Sequence, residues 1–463
     1  MISIDLLPDD VLLSIFDFYV VNQRSFVRTA KGAAEAWQVL VHVCRRWRSV
    51  VFGSPRRLDL QLFCAMNTPG HLVDVWPALP LYINDDVFED YADNFVAALK
   101  RSDRVVEIKL LIIGDSALEK VFAAMHVPFP ELTSLGISRW RGEMGTVPPD
   151  SFLGGSAERL RLLRLERIPF PGLPKLLSSA THLVNLHLTD IPHSGYISPE
   201  AMVTVLSTLT SLERLSLGFE SPQSRPDQGS RRLPPPTRIV VPVLAFLKFK
   251  GDNGYIDDLV ACIDAPRLND LNITFFNQIV FETPQFMQFI SRTPGLKALK
   301  TAHVTFGDSL SKDTEDTARA SLRSETSGNG EVVVNVRCEE LDWRVSSMEQ
   351  VCTWCLPPFS TLENLYIVGQ GRRSYRQDDI ENALWLELLR PFTTVKNLYL
   401  DEFAPHIIHA LEELVGERAT EVLPALQSIN LRHHDPYYPP GPAPKGIERF
   451  AAARQGHIAA GTW

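Results

Sequence analysis

Leu183-Val-Asn-Leu186-His-Leu188 and Leu212-Glu-Arg-Leu215-Ser-Leu217 are two copies of one pattern, Leu-x-x-Leu-x-Leu. The last two leucines of each copy stand two residues apart, the spacing that places side chains on one face of a strand, so the residues flanking them point to the opposite face. The pattern recurs at Leu132-Leu135-Ile137, Leu160-Leu163-Leu165, Leu244-Leu247-Phe249, Leu268-Leu271-Ile273, Leu362-Leu365-Ile367, Val395-Leu398-Leu400 and Leu426-Ile429-Leu431. Weaker copies stand at Val105-Ile108-Leu110, Leu296-Leu299 and Cys338-Leu341-Trp343, and Leu58-Asp-Leu-Gln-Leu62 and Leu79-Pro-Leu-Tyr-Ile83 read as two opening strands.

Successive starts lie mostly 23–33 residues apart, which resembles the period of a leucine-rich repeat. One such unit cannot cover its own apolar face, whereas stacked neighbours share a continuous core. The stretches Asn94–Lys100, Pro199–Ser207, Pro284–Ser291 and Ile380–Leu389 read as return helices between strands. Strand alternating with helix predicts an α/β fold, an irregular leucine-rich-repeat solenoid with a parallel sheet lining one face. A regular repeat carries Asn or Cys three residues after its last leucine; here that position holds Trp140, Ile168, Ile191, Glu220, Asp252 and Phe276. Two segments interrupt the series. Residues 220–238 are rich in Pro, Gly and Ser and read as a loop, and 307–330 is polar, with a short helix expected around Thr314–Arg323. The second fills the 42-residue gap between the copies at Leu296 and Cys338. From 435 the chain is Pro-rich and lacks the pattern, so this tail, with a helix expected over Lys445–Arg454, caps the last unit or hangs free.

Ahead of the repeats stands Ile4-Asp-Leu-Leu-Pro-Asp-Asp-Val-Leu-Leu-Ser-Ile-Phe16, answered by Val43-Cys-Arg-Arg-Trp-Arg-Ser-Val50. Pro8 suits the first position of a helix, and Asp9 and Asp10 suit the positive end of its dipole. Val11, Leu12, Ile15 and Phe16 form one apolar stripe; Val39, Leu40, Val43, Trp47 and Val50 form a second that can cover it. A unit this small must dock on something to be stable. These two stretches together resemble an F-box, over roughly residues 4–52, with a segment Val20–Ala36 longer than a minimal F-box has there. Trp76-Pro-Ala-Leu-Pro80 adds a likeness to large fungal families of F-box proteins with carboxy-terminal leucine-rich repeats. The resemblance implies a head, 1–57, that binds the Skp adaptor of a cullin–RING ubiquitin ligase through Leu7, Pro8, Val11, Leu12, Ile15 and Phe16, with Val43, Cys44 and Trp47 completing the surface. It further implies a repeat domain, 58–434, that holds an unidentified protein substrate, followed by the tail, 435–463.

Composition agrees with an ordinary globular chain of 463 residues, 45% hydrophobic and 22% charged, long enough for more than one domain. A net charge of −9 argues against nucleic acid as the main partner. Residues 1–57 carry eight Lys and Arg against five Asp and Glu, a basic head on an acidic chain that suits an acidic partner. The start of the chain lacks a signal-peptide pattern, and no run approaches the ~18 apolar residues of a membrane span, so a cytoplasmic or nuclear protein with reduced cysteines is expected.

Motifs for chemistry are few. Cys352-Thr-Trp-Cys355 has metal or redox spacing but no second pair; on a return helix, Ser347–Cys355, these cysteines read as core residues. His406-x-x-His409 and His433-His434 read as ordinary surface histidines, and Gly369-Gln-Gly371 followed by Arg372 and Arg373 as a turn. Gly-x-Ser-x-Gly, His-Glu-x-x-His and Gly-x-x-x-x-Gly-Lys are absent from the sequence, so neither an enzyme nor a cofactor is expected. The outward row of the strands is the candidate partner surface, through Asn185, His187, Arg214, Asn272, Tyr366, Tyr399 and Asn430, a mixture of amides, aromatics and arginine suited to recognition. The expected function is that of a substrate-recognition subunit of a Skp–cullin–F-box ligase. The alternatives are a repeat scaffold outside any ligase, with a vestigial F-box blocked by the Val20–Ala36 insertion, and a sensor with a small ligand inside the arc.

Overall fold

The computed structural model describes residues 4, 7–26, 36–66, 68, 72–140, 146–222, 238–276, 281–297, 299–307, 317–324, 330–338, 340–356, 359–370, 380–401, 404–414, 418, 420–431, 448–450, 452 and 459–462. It divides into two compact units, Met1–Tyr196 and Ile197–Trp463. The boundary falls inside the series of strand patterns.

The first unit opens with helices α1 (Asp9–Phe26), α2 (Ala36–Val41) and α3 (Arg45–Gly53). It continues β1 (Leu62–Cys64), α4 (Leu72–Val75), β2 (Leu81–Phe88), α5 (Ala92–Leu99), β3 (Val105–Ile113), α6 (Asp115–Ala124), β4 (Ser134–Arg139), β5 (Leu162–Glu166), α7 (Leu173–Leu177) and β6 (Asn185–Ile191). Each strand pairs in parallel with the next. Every copy of the pattern from Val105 to Leu188 lands on a strand, with Ile108, Leu110, Leu135, Ile137, Leu163, Leu165, Leu186 and Leu188 buried. The two opening copies are shifted toward their C-terminal ends, β1 beginning only at Leu62 and β2 at Leu81.

The three-helix head is part of this unit because aromatic side chains cement it there. Trp37 is fully buried; its indole N–H donates to the Gln61 carbonyl at 3.0 Å, and its ring meets Trp76 edge-on at 5.2 Å and Phe52 at 5.9 Å. Arg104 then clamps the stretch after Trp76, donating to the carbonyls of Pro77 at 3.0 Å and Leu79 at 2.9 Å.

The second unit begins α8 (Pro199–Leu206), β7 (Arg214–Phe219), β8 (Ile239–Val240), β9 (Phe246–Gly251), α9 (Asn253–Ala261), β10 (Ile263–Asp264), β11 (Asp270–Phe275) and α10 (Pro284–Arg292). It goes on through β12 (Thr301–Gly307), β13 (Thr317–Arg323), β14 (Glu331–Arg337), α11 (Leu341–Gln350), β15 (Asn364–Gln370), α12 (Asn382–Leu389), β16 (Asn397–Leu400), α13 (Ala404–Glu412), β17 (Ser428–Leu431) and β18 (Ala459–Thr462). The helices pack on one another, α8 on α9, α9 on α10, α11 on α12 and α12 on α13, on the side where the leucines are buried. Ser198 and Asp252 cap α8 and α9, each side chain accepting an N–H of the first turn at 3.2 and 2.9 Å. Asp252 therefore satisfies backbone at one of the positions where a regular repeat would carry Asn.

Strand order in the main sheet is β7-β9-β11-β14-β13-β12-β15-β16-β17-β18, with β8 and β10 pairing by themselves. All neighbours are parallel except β14–β13 and β13–β12, which are antiparallel. This corrects three sequence expectations. Thr317–Arg323 is a strand and not a helix, because Ala318, Ala320 and Leu322 alternate with period two toward the core. The copy at Cys338-Leu341-Trp343 is no strand: Leu341 and Trp343 lie on α11. The copy at Leu296-Leu299 starts three residues early, since the strand begins at Thr301 and buries Ala302, Val304 and Phe306. The strand Thr317–Arg323 thus lies within 307–330, a segment expected to be loop, and pairs with strands at both ends of that segment.

The inserted strands displace β12 from β11 by two positions, so the connection after α10 must cross the strand starts. Two glycines permit it. A Cβ on Gly295 would stand 2.5 Å from the Leu268 carbonyl oxygen, and one on Gly330 would overlap the carbonyl of Gly295. The tail also contributes to the sheet: β18 pairs in parallel with β17, and 448–450 are helical. No helix among the described residues is long and apolar enough to cross a membrane.

Because backbone cannot yield as a side-chain tip does, Gly330→Ala and Gly295→Ala are each expected to destabilise the second unit by about 1–3 kcal/mol. Chemical denaturation monitored by circular dichroism checks this; a change below ~0.5 kcal/mol in both would contradict the close crossing.

Candidate functional site

Helix α1 carries two apolar stripes. Leu12, Phe16 and Val20, at spacings of four, are buried; the Phe16 ring lies 4.7 Å from that of Trp47. Val11, Ile15 and Phe18 look outward, 39%, 43% and 70% exposed. The single stripe expected from the sequence is therefore split, with Leu12 and Phe16 serving the head's own core. Val43 is 56% exposed, Pro8 and Cys44 are exposed, and Leu7 and Trp47 are half-buried. Cys44 caps α3, its Sγ accepting the Trp47 N–H at 3.4 Å. Arg46 ties the two helices together, donating to Asp9 at 2.7 Å and to the Leu7 carbonyl at 2.5 Å. Val39 and Val21 add to the exposed apolar set. Residues 27–35, the centre of the longer segment, lie outside the described residues.

In the first unit, parallel register places His187 beside Arg164, then Gly136, Lys109 and Asn84, in one row across the sheet. Asn185 shares the row of Leu162, Ser134, Glu107, Tyr82 and Phe63. Its Oδ1 is buried and accepts no hydrogen bond among the described residues. Arg164 pairs with Glu166 on its own strand at 3.1 Å.

In the second unit the register builds a longer row. Ser216, Lys248, Asn272, Val333, Ser321, His303, Tyr366, Tyr399 and Asn430 are successive cross-strand partners. Four residues singled out from sequence, Asn272, Tyr366, Tyr399 and Asn430, are brought together here, and Arg214 lies in the adjoining row with Phe246, Asp270, Glu331, Arg323, Thr301, Asn364, Asn397 and Ser428. The rings of His303, Tyr366 and Tyr399 stack at 4.4 and 4.2 Å, within 10° of parallel. Beside them runs an amide ladder: Asn397 donates to Asn364 at 2.8 Å, Ser428 to Asn397 at 2.7 Å and Asn430 to Ser428 at 3.1 Å. At the other end Arg214 lies 4.2 Å over the Phe246 ring, and Asn335 donates to Asn272 at 3.2 Å.

Sequence reasoning missed His303, Ser321 and Val333, which lie on the strands of the displaced hairpin. Alternation in Thr301-Ala-His-Val-Thr-Phe306 is the signal that would have found the first. Burial, with the nearby Arg323 and Arg319 guanidinium groups adding to it and Glu331 opposing, holds the His303 imidazole below its ordinary pKa. Burial and its hydroxyl's contact with Tyr399 push the Tyr366 phenol up. Asp270 is raised, by burial first, then by the Glu331 carboxylate, against Arg214.

Cys352 and Cys355 sit in the core on a π-turn that continues α11; burial pushes both thiols up, that of Cys355 to about 12, and its Sγ donates to the Phe281 carbonyl at 3.0 Å. Neutral, enclosed thiols of this kind are packing residues. His409 faces Glu412 at 3.6 Å on α13 and His406 is half-buried on the same helix. Gly369 lies on β15; Gly371, Arg372, Arg373, His433 and His434 are outside the described residues. No protein-family model matches the chain, and no curated protein matches it.

Two outcomes follow from these environments. The unfolded imidazole of His303 titrates near 6.5 and the folded one lower, so protons bind the unfolded chain more readily. This histidine's contribution is full above pH 6.5 and falls as the pH drops below it. The melting temperature lost between pH 7.5 and 5.5 should therefore be smaller in His303→Gln than in the parent; equal losses would refute the assignment. With a thiol reagent on the native protein, exposed Cys44 should react at once and half-buried Cys262 more slowly. Cys64, Cys338, Cys352 and Cys355 should react only on unfolding; mass mapping of the labelled peptides checks the order.

Proposed function

We propose that this chain is a substrate receptor of a Skp–cullin–F-box ubiquitin ligase, with the three-helix head as F-box and the strand–helix units as degenerate leucine-rich repeats. The observation that carries the reading is the double stripe of α1. Leu12, Phe16 and Val20 complete the head's core, and Val11, Ile15 and Phe18 remain exposed on a helix whose sequence resembles the adaptor-binding part of an F-box. An apolar face of this kind, on a head that also exposes Val39 and Val43, is the mark of an interaction surface. The repeat reading is supported by parallel strands at the sequence period, buried leucines on one face and a return helix after many of the strands.

On this reading the chain itself performs no bond chemistry. The head binds the adaptor, the sheet face holds a protein substrate, and ubiquitin transfer is accelerated because a tethered lysine meets the charged thioester at high effective concentration. The partner is expected to be an acidic Skp adaptor, matched to the basic excess of residues 1–57.

Co-expression with a Skp adaptor followed by size-exclusion chromatography is the test, with a one-to-one complex expected. Val11→Asp with Ile15→Asp alters exposed positions only, so it should leave the fold intact by circular dichroism. It should weaken adaptor binding by ~100-fold or more, since an unpaired carboxylate buried in an interface costs about 3 kcal/mol or more. A folded, monodisperse parent chain that ignores the adaptor would favour a scaffold outside any ligase.

A further inference from the structure

The outward sheet face of the second unit is divided by charge. On β7, β9, β11, β14 and β13 its three adjoining rows carry Arg214, Lys248, Lys250, Arg319 and Arg323, against two carboxylates, Asp270 and Glu331. On β12, β15, β16 and β17 the same rows carry the neutral groups Thr301, His303, Thr305, Asn364, Tyr366, Val368, Asn397, Tyr399, Ser428 and Asn430, and the one carboxylate that follows them, Asp401 just past β16, is buried. A surplus of three positive charges on one patch stands out on a chain of net charge −9.

Of the two carboxylates, Glu331 organises the cations. Glu331 lies 2.8 Å from Arg323 and 3.8 Å from Arg319. Arg319 and Glu331 belong to rows on either side of Ser321 and Val333, so their pairing spans those two residues, which are buried. The result is a pair of covered small side chains with guanidinium groups over and beside them.

We propose that this face binds an extended acidic peptide segment of a protein partner, laid across the strands with its carboxylates over Lys248 and Arg319 and its hydroxyl- or amide-bearing end against the His303–Tyr366–Tyr399 ladder. As a description of the ligase substrate it rests on the receptor reading above; as a binding property it does not. The row from Lys248 to Tyr399 crosses seven strands, about 29 Å at ~4.8 Å per spacing, which an extended chain at ~3.3 Å per residue covers in about nine residues. Nucleic acid is the rival that basic and aromatic groups together suggest, but base recognition uses free aromatic faces. Here Tyr366 is sandwiched between His303 and Tyr399, so the ladder offers ring edges and hydroxyls.

The test is fluorescence anisotropy on the full chain with three labelled probes: a nonapeptide of four glutamates followed by Ser-Asn-Gln-Ser-Tyr, its tetralysine counterpart, and nine-residue oligothymidylate. The acidic peptide should bind at least tenfold tighter than either, and its affinity should fall as salt rises. Lys248→Ser with Arg319→Gln should weaken it at least fivefold. Lys109→Ser with Arg164→Gln, which removes the same charge from the first unit's sheet, should leave it unchanged. Equal binding of the lysine peptide, tighter binding of the oligonucleotide, or an equal loss in both variants would overturn the proposal. Failure of the receptor reading is separable, because adaptor binding is read through Val11 and Ile15 and involves none of these probes. Acidic-peptide binding without adaptor binding would sustain the site and discard the ligase.

Discussion

Each interior strand of the large sheet has to bury one face and pair both edges, and that double requirement governs the rest. A single strand with two or three leucines gains about 1.5–3 kcal/mol for each one fully buried, but only if neighbours on both sides and a cover above remove it from water. In-register pairing meets both demands together. It aligns Leu215 with Leu247 and Leu271, and Leu365 with Leu398 and Ile429, into continuous apolar rows beneath the helices. The same register necessarily aligns the residues between them on the open face. The stacked rings and the amide ladder are therefore by-products of packing the core in register. A site of this kind needs no dedicated loop, because the geometry that buries the leucines also sets ring separations near 4.2–4.4 Å.

The hairpin in the second unit shows how strongly pairing dominates. Two further strands enter the sheet in antiparallel sense, the connection between α10 and β12 is lengthened across the strand starts, and glycine is required at 295 and 330 where backbones nearly touch. Both displaced edges still find partners, β14 against β11 and β12 against β15, so no ladder is left open. The chain tolerates this because each unit answers only to its neighbours. The head obeys the same economy: three helices too small to stand alone are held by Trp37, Trp76 and Phe52 against the start of the first sheet.

The head and the open sheet faces answer different physical needs. Around α1 an apolar stripe remains in water, which favours a partner that covers it. The second unit's open face is polar and unevenly charged, which favours a partner that complements it. The buried cysteine pair and the half-buried histidine add packing and a measure of pH sensitivity, and neither resembles reactive chemistry. These contrasts favour partners of different chemistry, apolar for the helix stripe and charge-bearing for the second unit's sheet face.

Periodicity alone determined the strands at Leu132, Leu160, Leu183, Leu212, Leu244, Leu268, Leu362, Val395 and Leu426, because a spacing of two residues is a local property that no distant contact can alter without exposing leucine. It also determined that Asn272, Tyr366, Tyr399 and Asn430 would point away from the core. Only the tertiary structure decided their order in space. Strand pairing between residues far apart in sequence placed β14 beside β11 and put His303, Ser321 and Val333 between Asn272 and Tyr366. Polar alternation in Thr317–Arg323 resembles loop or helix until partners on both edges make it a strand. Which half of the α1 stripe would be buried was likewise undecidable from spacing, since Val11 and Leu12 are equally apolar; packing in the folded head, with Trp47 against Phe16, made the choice.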